Sequence, residues 1–288
     1  MTNRLEGKVA IITGGAAGIG EAISKKFAAE GAAVVVAGLP DDPVHDVVDA
    51  IRAAGYQAVG YLGDLSTWTA AQECVRLAVD EFGQLDILIN NAGVFVETNY
   101  LTDYSEEAFD YMIRNNNKTT FLMSKAALPE LQKTHGNIVT AGSEAGVLGI
   151  PQNTPYGGTK AFNTAFTKGL AAEQAEFGVR CNVVGPGPID TAWTHKETGP
   201  MDAKMEQNLV AATPMGRRGT PEEIANVFAF LASDMASYVT GALWAVDGGT
   251  IVGKGPVGNE VPRNVKAEPE GELDLEQSLD GNDNKDLY

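Results

Sequence analysis

The residues from Ser143 to Lys160 have the types and spacing of a proton-transfer site. They read SEAGVLGIPQNTPYGGTK, which predicts a strand exit, a loop and then a helix carrying Tyr156 and Lys160. Two side chains four residues apart on a helix project from the same face. An ammonium beside a phenol stabilises the phenolate, so we expect Tyr156 to exchange a proton with an alcohol well below the usual pKa of about 10. Ser143 would supply a hydroxyl to the same substrate oxygen.

A tyrosine four residues before a lysine is common, so this assignment depends on what surrounds it. Near the start of the chain, TGGAAGIG spans Thr13 to Gly20, after the β-branched run Val9–Thr13 and before a helical pattern that stops at Gly31. Glycines let a backbone approach a pyrophosphate, and a helix N-terminus offers free N–H groups and the positive end of its dipole. A tight turn without a ligand is the alternative, but this context favours dinucleotide binding.

The end of the second predicted strand bears on which dinucleotide binds. The strand Ala32–Ala37 is followed by Gly38 and Leu39, where Rossmann domains usually place an acid that bonds the adenosine ribose. Asp41 and Asp42 come slightly later, and there is no Lys or Arg here to meet a 2′-phosphate. The sequence therefore favours NAD over NADP.

Apolar runs alternate with helical patterns along the chain. The predicted strands are Val9–Thr13, Ala32–Ala37, Ala58–Leu62, Leu85–Ile89, Gly136–Thr140, Val179–Val184 and Ala242–Val246. The predicted helices include Val44–Ala54, Thr67–Phe82, a long one from Ser105 to about Ala127, one carrying Tyr156, and Thr220–Ser233. Continuous apolar strands are typical of a parallel sheet covered on both faces. We predict a single α/β domain over residues 1–252, a doubly wound Rossmann-type sheet of about seven strands.

Asparagines occur at two places that could serve a site. Asn90 begins NNAG at the end of the fourth strand, the side of a parallel sheet where ligands bind, although it could equally bond neighbouring strand backbones. The run 115–117 lies in the long predicted helix, where asparagine is unfavourable. This run is either functional or a polar, exposed turn.

Two further segments differ in character from the rest. Residues 188–215 include the mixed, polar stretch Trp193–Ala212, which suits a mobile lid over a substrate, and His195 on it is expected to be solvated. Residues 253–288 are acidic and poor in apolar side chains, so they are predicted to be largely disordered. Alternatively, Leu273, Leu275 and Leu279 could dock on a neighbouring subunit.

Charge and cysteine content exclude several classes of function. The net charge is −17, of which −5 belongs to residues 253–288 and −12 to the rest, so we expect neither nucleic acid nor an anionic membrane as a partner. Cys74 and Cys181 lie in apolar patterns without metal-ligand spacing, which predicts free thiols and no metal site. Residues 1–8 have no apolar core of the secretory type, so a cytoplasmic protein is expected.

Taken in order, several motifs resemble those of the short-chain dehydrogenase/reductase family with a single domain. The resemblance covers nearly all of residues 8–250. The motifs are TGGAAGIG at Thr13–Gly20, Asp64-Leu65, NNAG at Asn90–Gly93, Ser143 thirteen residues before Tyr156, YGGTK, PGPIDT at Pro186–Thr191 and VDGG at Val246–Gly249. The glycines after Tyr156, the missing acid after the second strand and the acidic tail depart from the family pattern.

The resemblance implies catalytic roles for four residues. Tyr156 would be the acid/base, Ser143 would polarise the substrate oxygen, and Lys160 would bond the nicotinamide ribose and lower the Tyr156 pKa. The family's asparagine, which holds a water in the proton path, matches Asn116 best, five residues before Phe121, with Asn115 as the other register.

The same resemblance implies a set of cofactor contacts. Gly14, Ile19 and Gly20 would meet the pyrophosphate, Asp64 with Leu65 the adenine, and Asn91, Ala92 and Gly93 the adenosine ribose side. Pro186 and Gly187 would also line the cofactor, and Ile189 and Thr191 would hold the carboxamide. A homotetramer formed through the two long helices is expected on the same ground.

The predicted function is therefore hydride transfer between a nicotinamide and a small secondary alcohol or ketone. One alternative is an NADPH-dependent 3-oxoacyl (carrier-protein) ketoreductase, which would require basic residues near Gly38 and a basic patch. Another is a non-catalytic dinucleotide-sensing protein, which would be free to lose Ser143, Tyr156 or Lys160.

Overall fold

The computed structural model describes residues 3–191, 203–253 and 255. It contains one parallel sheet of seven strands in the order β3-β2-β1-β4-β5-β6-β7. The strands are β1 (Val9–Thr13), β2 (Ala33–Gly38), β3 (Ala58–Leu62), β4 (Ile87–Asn90), β5 (Asn137–Ala141), β6 (Arg180–Pro186) and β7 (Leu243–Val246). The predicted fold class is confirmed, because the continuous apolar runs are indeed strands buried between helices.

The helices surround the sheet on both faces. They are α1 (Gly18–Ala29), α2 (Val44–Ala53), α3 (Trp68–Phe82), α4 (Glu106–Met112), α5 (Thr119–Thr134), α6 (Thr154–Gln174), α7 (Ala203–Ala212) and α8 (Pro221–Ala232). One core packs α1, α2 and α8 against the sheet around Phe27 and Phe228. The other packs α3, α5 and α6 against the opposite face around Met123 and Leu131. Burying both faces of the sheet supplies the main apolar driving force for this fold.

The long helix predicted from Ser105 is interrupted. Ser105 caps α4 as expected, its hydroxyl accepting the Ala108 N–H at 3.1 Å, but residues Ile113–Lys118 form a π-helical segment before α5 begins. The wider π turn directs Asn116 and Asn117 inward, where both are buried. The asparagine run is therefore not an exposed polar turn, and Asn115 itself is half-buried. Such π turns inside helices are frequent at functional sites.

Several predictions fall on residues outside the described part of the chain. These are Trp193 and His195 of the predicted lid, and Leu273, Leu275 and Leu279 of the tail. Cys74 and Cys181 are free and buried, as predicted. Among the described residues, no helix is long and apolar enough to cross a membrane.

Candidate active site

The candidate site residues lie at the carboxyl ends of the parallel strands. Gly14 follows β1, Asp64 follows β3, Asn91 follows β4 and Ser143 follows β5, while Pro186 ends β6. Because all seven strands are parallel, these ends share one edge of the sheet. In open α/β sheets this edge, where the strand order reverses, is the place where ligands bind, and here the reversal lies between β1 and β4.

Two glycines let the Ser143 segment approach α6 closely. A Cβ on Gly157 would lie 2.7 Å from the Ala145 carbonyl oxygen, and a Cβ on Gly146 would lie 2.8 Å from the Lys160 carbonyl carbon. Neither contact is sterically tolerable, so both positions require glycine. Close packing against Ala145 thus explains the helix-weakening glycine at position 157 in α6, and this close approach brings Ser143 to Tyr156.

Tyr156 lies beside Ser143 in a partly buried position. Burial raises the pKa of Tyr156 to about 12, a hydrogen bond with Ser143 lowers it, and the charge of Glu144 raises it further. The net shift of the Tyr156 pKa is therefore upward, because desolvation of the phenolate outweighs the stabilising contacts. The lowering implied for Lys160 together with a nicotinamide stays a prediction. Phe95 closes one side of the ring in an edge-to-face contact with a centroid distance of 5.1 Å.

Lys160 is buried one helical turn after Tyr156. Its Nζ donates to the Ala141 carbonyl oxygen at 3.3 Å and lies 5.7 Å from the centroid of the Tyr156 ring. Burial lowers the pKa of Lys160 to about 8, because a desolvated ammonium is disfavoured. The lysine and the tyrosine are thus neighbours on one face of α6, as their spacing predicted.

Asn116 reaches the same site from the π-helical segment. Its Oδ1 accepts the Val94 N–H at 2.6 Å, and its Nδ2 donates to the Val94 carbonyl at 3.0 Å and to Thr159 Oγ1 at 3.0 Å. A Cβ on Gly93 would lie 3.3 Å from Asn116 Oδ1 and 3.4 Å from Lys160 Nζ, so these two groups flank Gly93.

Asn115, the other candidate for the family's asparagine, points away from the site. The half-buried Asn115 side chain donates to the Tyr111 carbonyl, one turn earlier, at 2.8 Å. Asn116 is the asparagine that meets the site, and its own carbonyl accepts from Thr120 Oγ1 at 2.8 Å and Asn163 Nδ2 at 3.2 Å. The water-holding role implied for Asn116 stays a prediction.

The turn after β1 has the shape that a pyrophosphate requires. Gly14 has φ +59°, and a Cβ on Gly20 would lie 1.9 Å from the Gly14 carbonyl oxygen, so neither position accepts a side chain. The N-cap of α1, Ala17, provides no side-chain cap for the first-turn N–H groups. A glycine cradle above an uncapped helix N-terminus fits the diphosphate of a dinucleotide. Ile19 is half-buried in the first turn of α1.

Asn91 and Thr13 hold this turn in place. Asn91 Nδ2 donates to the Thr13 and Gly14 carbonyls at 3.1 Å each, and Thr13 Oγ1 accepts the N–H groups of Asn91 and Ala92 at 3.0 Å each. The Asn91 side chain therefore shapes the cradle. Asn90 is buried and donates to Ser124 Oγ at 3.0 Å, which ties β4 to α5 instead of to neighbouring strand backbones.

Asp64, after β3, is held by partners that sequence reasoning missed. Its carboxylate pairs with Arg114 and accepts the Ser66 N–H at 2.9 Å, while Arg114 also donates to Ser66 Oγ at 2.8 Å. Burial acts to raise the pKa of Asp64, but the bonds to Ser66 and the charge of Arg114 lower it overall. The Leu65 side chain is buried in the core. The sequence signal for this ion pair was Arg114, a basic residue that lies two residues before Asn116.

The end of β2 carries a carboxylate despite lacking an acid in the usual position. Asp42 Oδ2 accepts the Leu39 N–H at 2.7 Å, and a Cβ on Gly38 would lie 2.8 Å from that same oxygen. The turn thus folds Asp42 back over Gly38. The described residues thus place a negative charge at the carboxyl end of β2.

The segment after β6 lies at the same edge of the sheet and packs against the segment after β7. A Cβ on Gly187 would lie 2.6 Å from Asp247 Cα, so glycine is required where Gly187 packs against the segment after β7. Ile189 forms a bridge with Gly219. A Cβ on Gly18 would lie 3.4 Å from Thr191 Cγ2, which places Thr191 over the start of α1.

Comparison with known proteins agrees with this arrangement. A family model described as enoyl-(acyl carrier protein) reductase matches residues 14–250. The 2,5-dichloro-2,5-cyclohexadiene-1,4-diol dehydrogenase LinX of Sphingobium indicum is 40% identical over 254 residues, which is 88% of this chain and 100% of that protein. The 3-oxoacyl-[acyl-carrier-protein] reductase FabG of Thermotoga maritima is 36% identical over 250 residues, which is 86% of this chain and 100% of that protein. The crystal structure of gox2181 is similar with a TM-score of 0.82 at 33% identity, and the match covers 87% of this chain and 98% of that one.

The fold and these relatives together define an NAD(P)-dependent oxidoreductase. The chain belongs to the short-chain dehydrogenase/reductase family.

Proposed function

We propose that this protein is an NAD-linked oxidoreductase that interconverts a small secondary alcohol and its ketone, with Tyr156 as the acid/base. The observation that carries the proposal is the convergence of Ser143, Tyr156, Lys160 and Asn116, from three separate elements, at the edge of the sheet beside the glycine cradle. Burying a lysine ammonium costs the fold free energy, so a buried lysine beside a tyrosine at this edge favours a functional role.

In this proposal each residue of the chain has a distinct task. Tyr156 gives its phenolic proton to the substrate oxygen during ketone reduction and takes it back during alcohol oxidation. Ser143, bonded to Tyr156, orients that oxygen. Lys160 places a positive charge beneath the Tyr156 ring, and Asn116 fixes the Val94 and Thr159 segments that flank it. The nicotinamide, when bound, supplies or accepts the hydride.

The preference for NAD rests on the turn after β2. Asp42 lies over Gly38 and would bond the adenosine ribose hydroxyls of NAD, whereas its charge would repel the 2′-phosphate of NADP. No Lys or Arg occurs between Gly38 and Val44 to offset that charge.

A second candidate function is supported by the similarity to 3-oxoacyl-[acyl-carrier-protein] reductase FabG. A reductase of this kind would use NADPH and would recognise an acidic carrier protein through basic side chains. The net charge of −17 and the absence of a cation in the β2 turn are unfavourable for both requirements. A carrier-bound ketone is therefore the comparison substrate in the test below.

The experiment is a substrate panel with purified full-length protein. Cyclic alcohols, hydroxysteroids, sugar alcohols and a 3-oxoacyl thioester are each assayed with NAD(H) and NADP(H) by the change in reduced-nicotinamide absorbance. We expect turnover of at least one secondary alcohol, faster with NAD. Turnover of the thioester with NADPH alone would favour the second candidate. Binding of NADH without turnover of any substrate would favour a dinucleotide-sensing protein.

Three broader proposals accompany this function. The catalytic domain spans residues 1–252, with a substrate loop over residues 188–215 and a tail over residues 253–288. The protein acts on a small molecule in the cytoplasm, as the two free buried thiols suggest. It assembles as a homo-oligomer, for which a test is given in the Discussion.

A further inference from the structure

Glu144 occupies an unusual place for an acid, directly after Ser143 in the short 3₁₀ turn Glu144–Gly146. Its carboxyl group is half-buried and close enough to Tyr156 for its charge to raise the Tyr156 pKa. A permanent negative charge here would oppose formation of the phenolate on which the proposed reaction depends. The protonation state of Glu144 therefore matters to the neighbouring site.

The hydrogen bonds around Thr250 limit that protonation state. Thr250 Oγ1 is within hydrogen-bond distance of Glu144 Oε2 and also lies 2.9 Å from Asp247 Oδ2. A hydroxyl has one proton to donate, so it can serve only one of two ionised carboxylates. If both acids were ionised, one of these two oxygen–oxygen contacts would contain no proton and would be repulsive.

The remaining contacts show which of the two acids keeps its charge. Asp247 Oδ1 accepts the Gly249 N–H at 2.8 Å, and Asp247 Oδ2 accepts the Ile251 N–H at 3.0 Å. With the Thr250 hydroxyl it thus has three donors, the arrangement of an ionised carboxylate. Glu144 is therefore the acid that must carry a proton if both contacts of the Thr250 hydroxyl are to be hydrogen bonds.

The surroundings of Glu144 favour the neutral form for the same reason. Burial raises the pKa of Glu144, a bond donated to it by the Thr250 hydroxyl would lower it, and the charge of Asp247 raises it further. Since the Thr250 proton goes to Asp247, the lowering contribution does not apply. Among the described residues, the titratable groups facing Glu144 are Asp247 beyond β7 and Tyr156 on α6. The buried cation of α6, Lys160, is directed to the Ala141 carbonyl instead.

We propose that Glu144 is held as a neutral carboxylic acid that donates its proton to Thr250, which in turn donates to the ionised Asp247. Glu144 is thus a positioning residue: it stays uncharged so that the Ser143–Tyr156 pair has no anion beside it. The role in catalysis rests on the proposed function, whereas the protonation state does not. As pH rises, Glu144 ionises and Tyr156 must then lose its proton against a neighbouring negative charge.

The test is a pH titration of the full-length protein by NMR, with ¹³C at the glutamate side-chain carboxyl carbon. The Glu144 resonance is assigned by its loss in Glu144→Gln. We expect a protonated Glu144 at neutral pH with a midpoint above the usual glutamate value of 4.5. A Glu144 that is ionised at neutral pH overturns the proposal, and it does so whether or not any substrate is turned over.

Three variants test the hydrogen-bond chain. Thr250→Val removes the oxygen that accepts the Glu144 proton and should lower the Glu144 midpoint, whereas Thr250→Ser keeps the hydroxyl and should leave the midpoint near the wild-type value. Asp247→Asn should lower the midpoint, because it removes the charge that opposes ionisation. An unchanged midpoint in both Thr250→Val and Asp247→Asn contradicts the chain. If Glu144→Gln does not fold, the resonance that moves in these variants supplies the assignment.

Once a substrate is known, the pH dependence of the rate distinguishes an electrostatic effect of Glu144 on Tyr156 from a contribution of Glu144 to packing alone. Glu144→Gln keeps the shape and removes the ionisation, so alcohol oxidation should reach its plateau at lower pH than in the wild type. A variant that only loosened the fold would lower the rate without moving the profile. An unmoved profile would overturn the catalytic role of Glu144.

Discussion

At the scale of single residues, Tyr156 and Lys160 respond to burial in opposite directions. Desolvation raises the pKa of the phenol to about 12 and lowers that of the ammonium to about 8, because in each case it disfavours the charged form. Burial thus shifts both groups toward their neutral forms, while Lys160 remains mostly protonated at pH 7. Sequence spacing predicted that the two would be neighbours, but the sign of the Tyr156 shift depends on burial, which spacing does not reveal.

Lys160 is expected to reduce stability at neutral pH. Its folded pKa of about 8 lies below the unfolded value of 10.5, so the unfolded state binds more protons between these values and stability rises with pH across that window. Lys160→Met should therefore raise the free energy of unfolding at pH 7 by about 2–3 kcal/mol, and this gain should shrink toward pH 10.5. Denaturant unfolding at several pH values measures it. A constant difference across the window would contradict the burial account.

Asp42 should govern the choice of cofactor. Asp42→Asn keeps an oxygen to accept the Leu39 N–H but removes the charge over Gly38. We expect the ratio of NADPH to NADH affinity to rise by about tenfold, or about 1.4 kcal/mol. Asp41→Asn, a change to the exposed neighbouring acid, is the control and should leave the ratio unchanged. Equal effects of the two variants would mean that Asp42 has no special position.

At the scale of elements, the active site depends on how closely the Ser143 segment packs on α6. The strands and most helices could be predicted, since apolar runs and caps such as Thr220 are local signals. The π-helical segment could not, because it is stabilised by contacts with α6 far along the chain, such as Asn117 Nδ2 to the Thr159 carbonyl at 2.8 Å. Asn116 was assigned from its spacing to Phe121, and only the fold shows why it faces inward.

The two glycines of YGGTK offer a matched test of this packing. A Cβ on Gly157 would lie 2.7 Å from the Ala145 carbonyl oxygen, whereas a Cβ on Gly158 meets nothing within 4 Å. Gly157→Ala should cost about 1–3 kcal/mol of stability and lower kcat by about tenfold or more, because it separates Ser143 from Tyr156. Gly158→Ala should leave activity intact and add up to about 1 kcal/mol from helix propensity. Thermal unfolding measures the stability of the two variants, and steady-state kinetics measures their kcat. Similar stability and kcat in the two variants would contradict a packing requirement at Gly157.

At the scale of the whole molecule, one face of the α5–α6 pair remains apolar. Phe121 and Phe162 are 43% and 44% exposed, and Phe162 stacks on Phe166 at a centroid distance of 5.6 Å. Exposed aromatic clusters of this kind mark association surfaces. The resemblance implied a tetramer through these helices, and the exposed face supports that proposal. The sequence could suggest the surface only by analogy, since exposure is a property of the folded chain.

A charge on this face should disrupt assembly. Phe162→Glu should shift the protein to a smaller species, because an interface cannot bury an unpaired carboxylate without a large cost. Ala53→Glu introduces the same charge on the exposed surface of α2, on the opposite side of the sheet, and should not alter the mass. Sedimentation velocity measures the species present. A monomeric wild-type protein, or an unchanged mass in Phe162→Glu, would refute assembly through this face.

The most direct test of the account compares turnover and cofactor binding in Tyr156→Phe. This variant removes one oxygen, keeps the ring that packs on Phe95, and leaves the glycine cradle untouched. With a substrate from the panel, we expect turnover to fall by about 10³-fold or more, while the Kd for NADH, measured by fluorescence titration, changes less than about threefold. Turnover within about tenfold of the wild type would show that the phenol does not handle the proton, and the proposed mechanism would have to be abandoned.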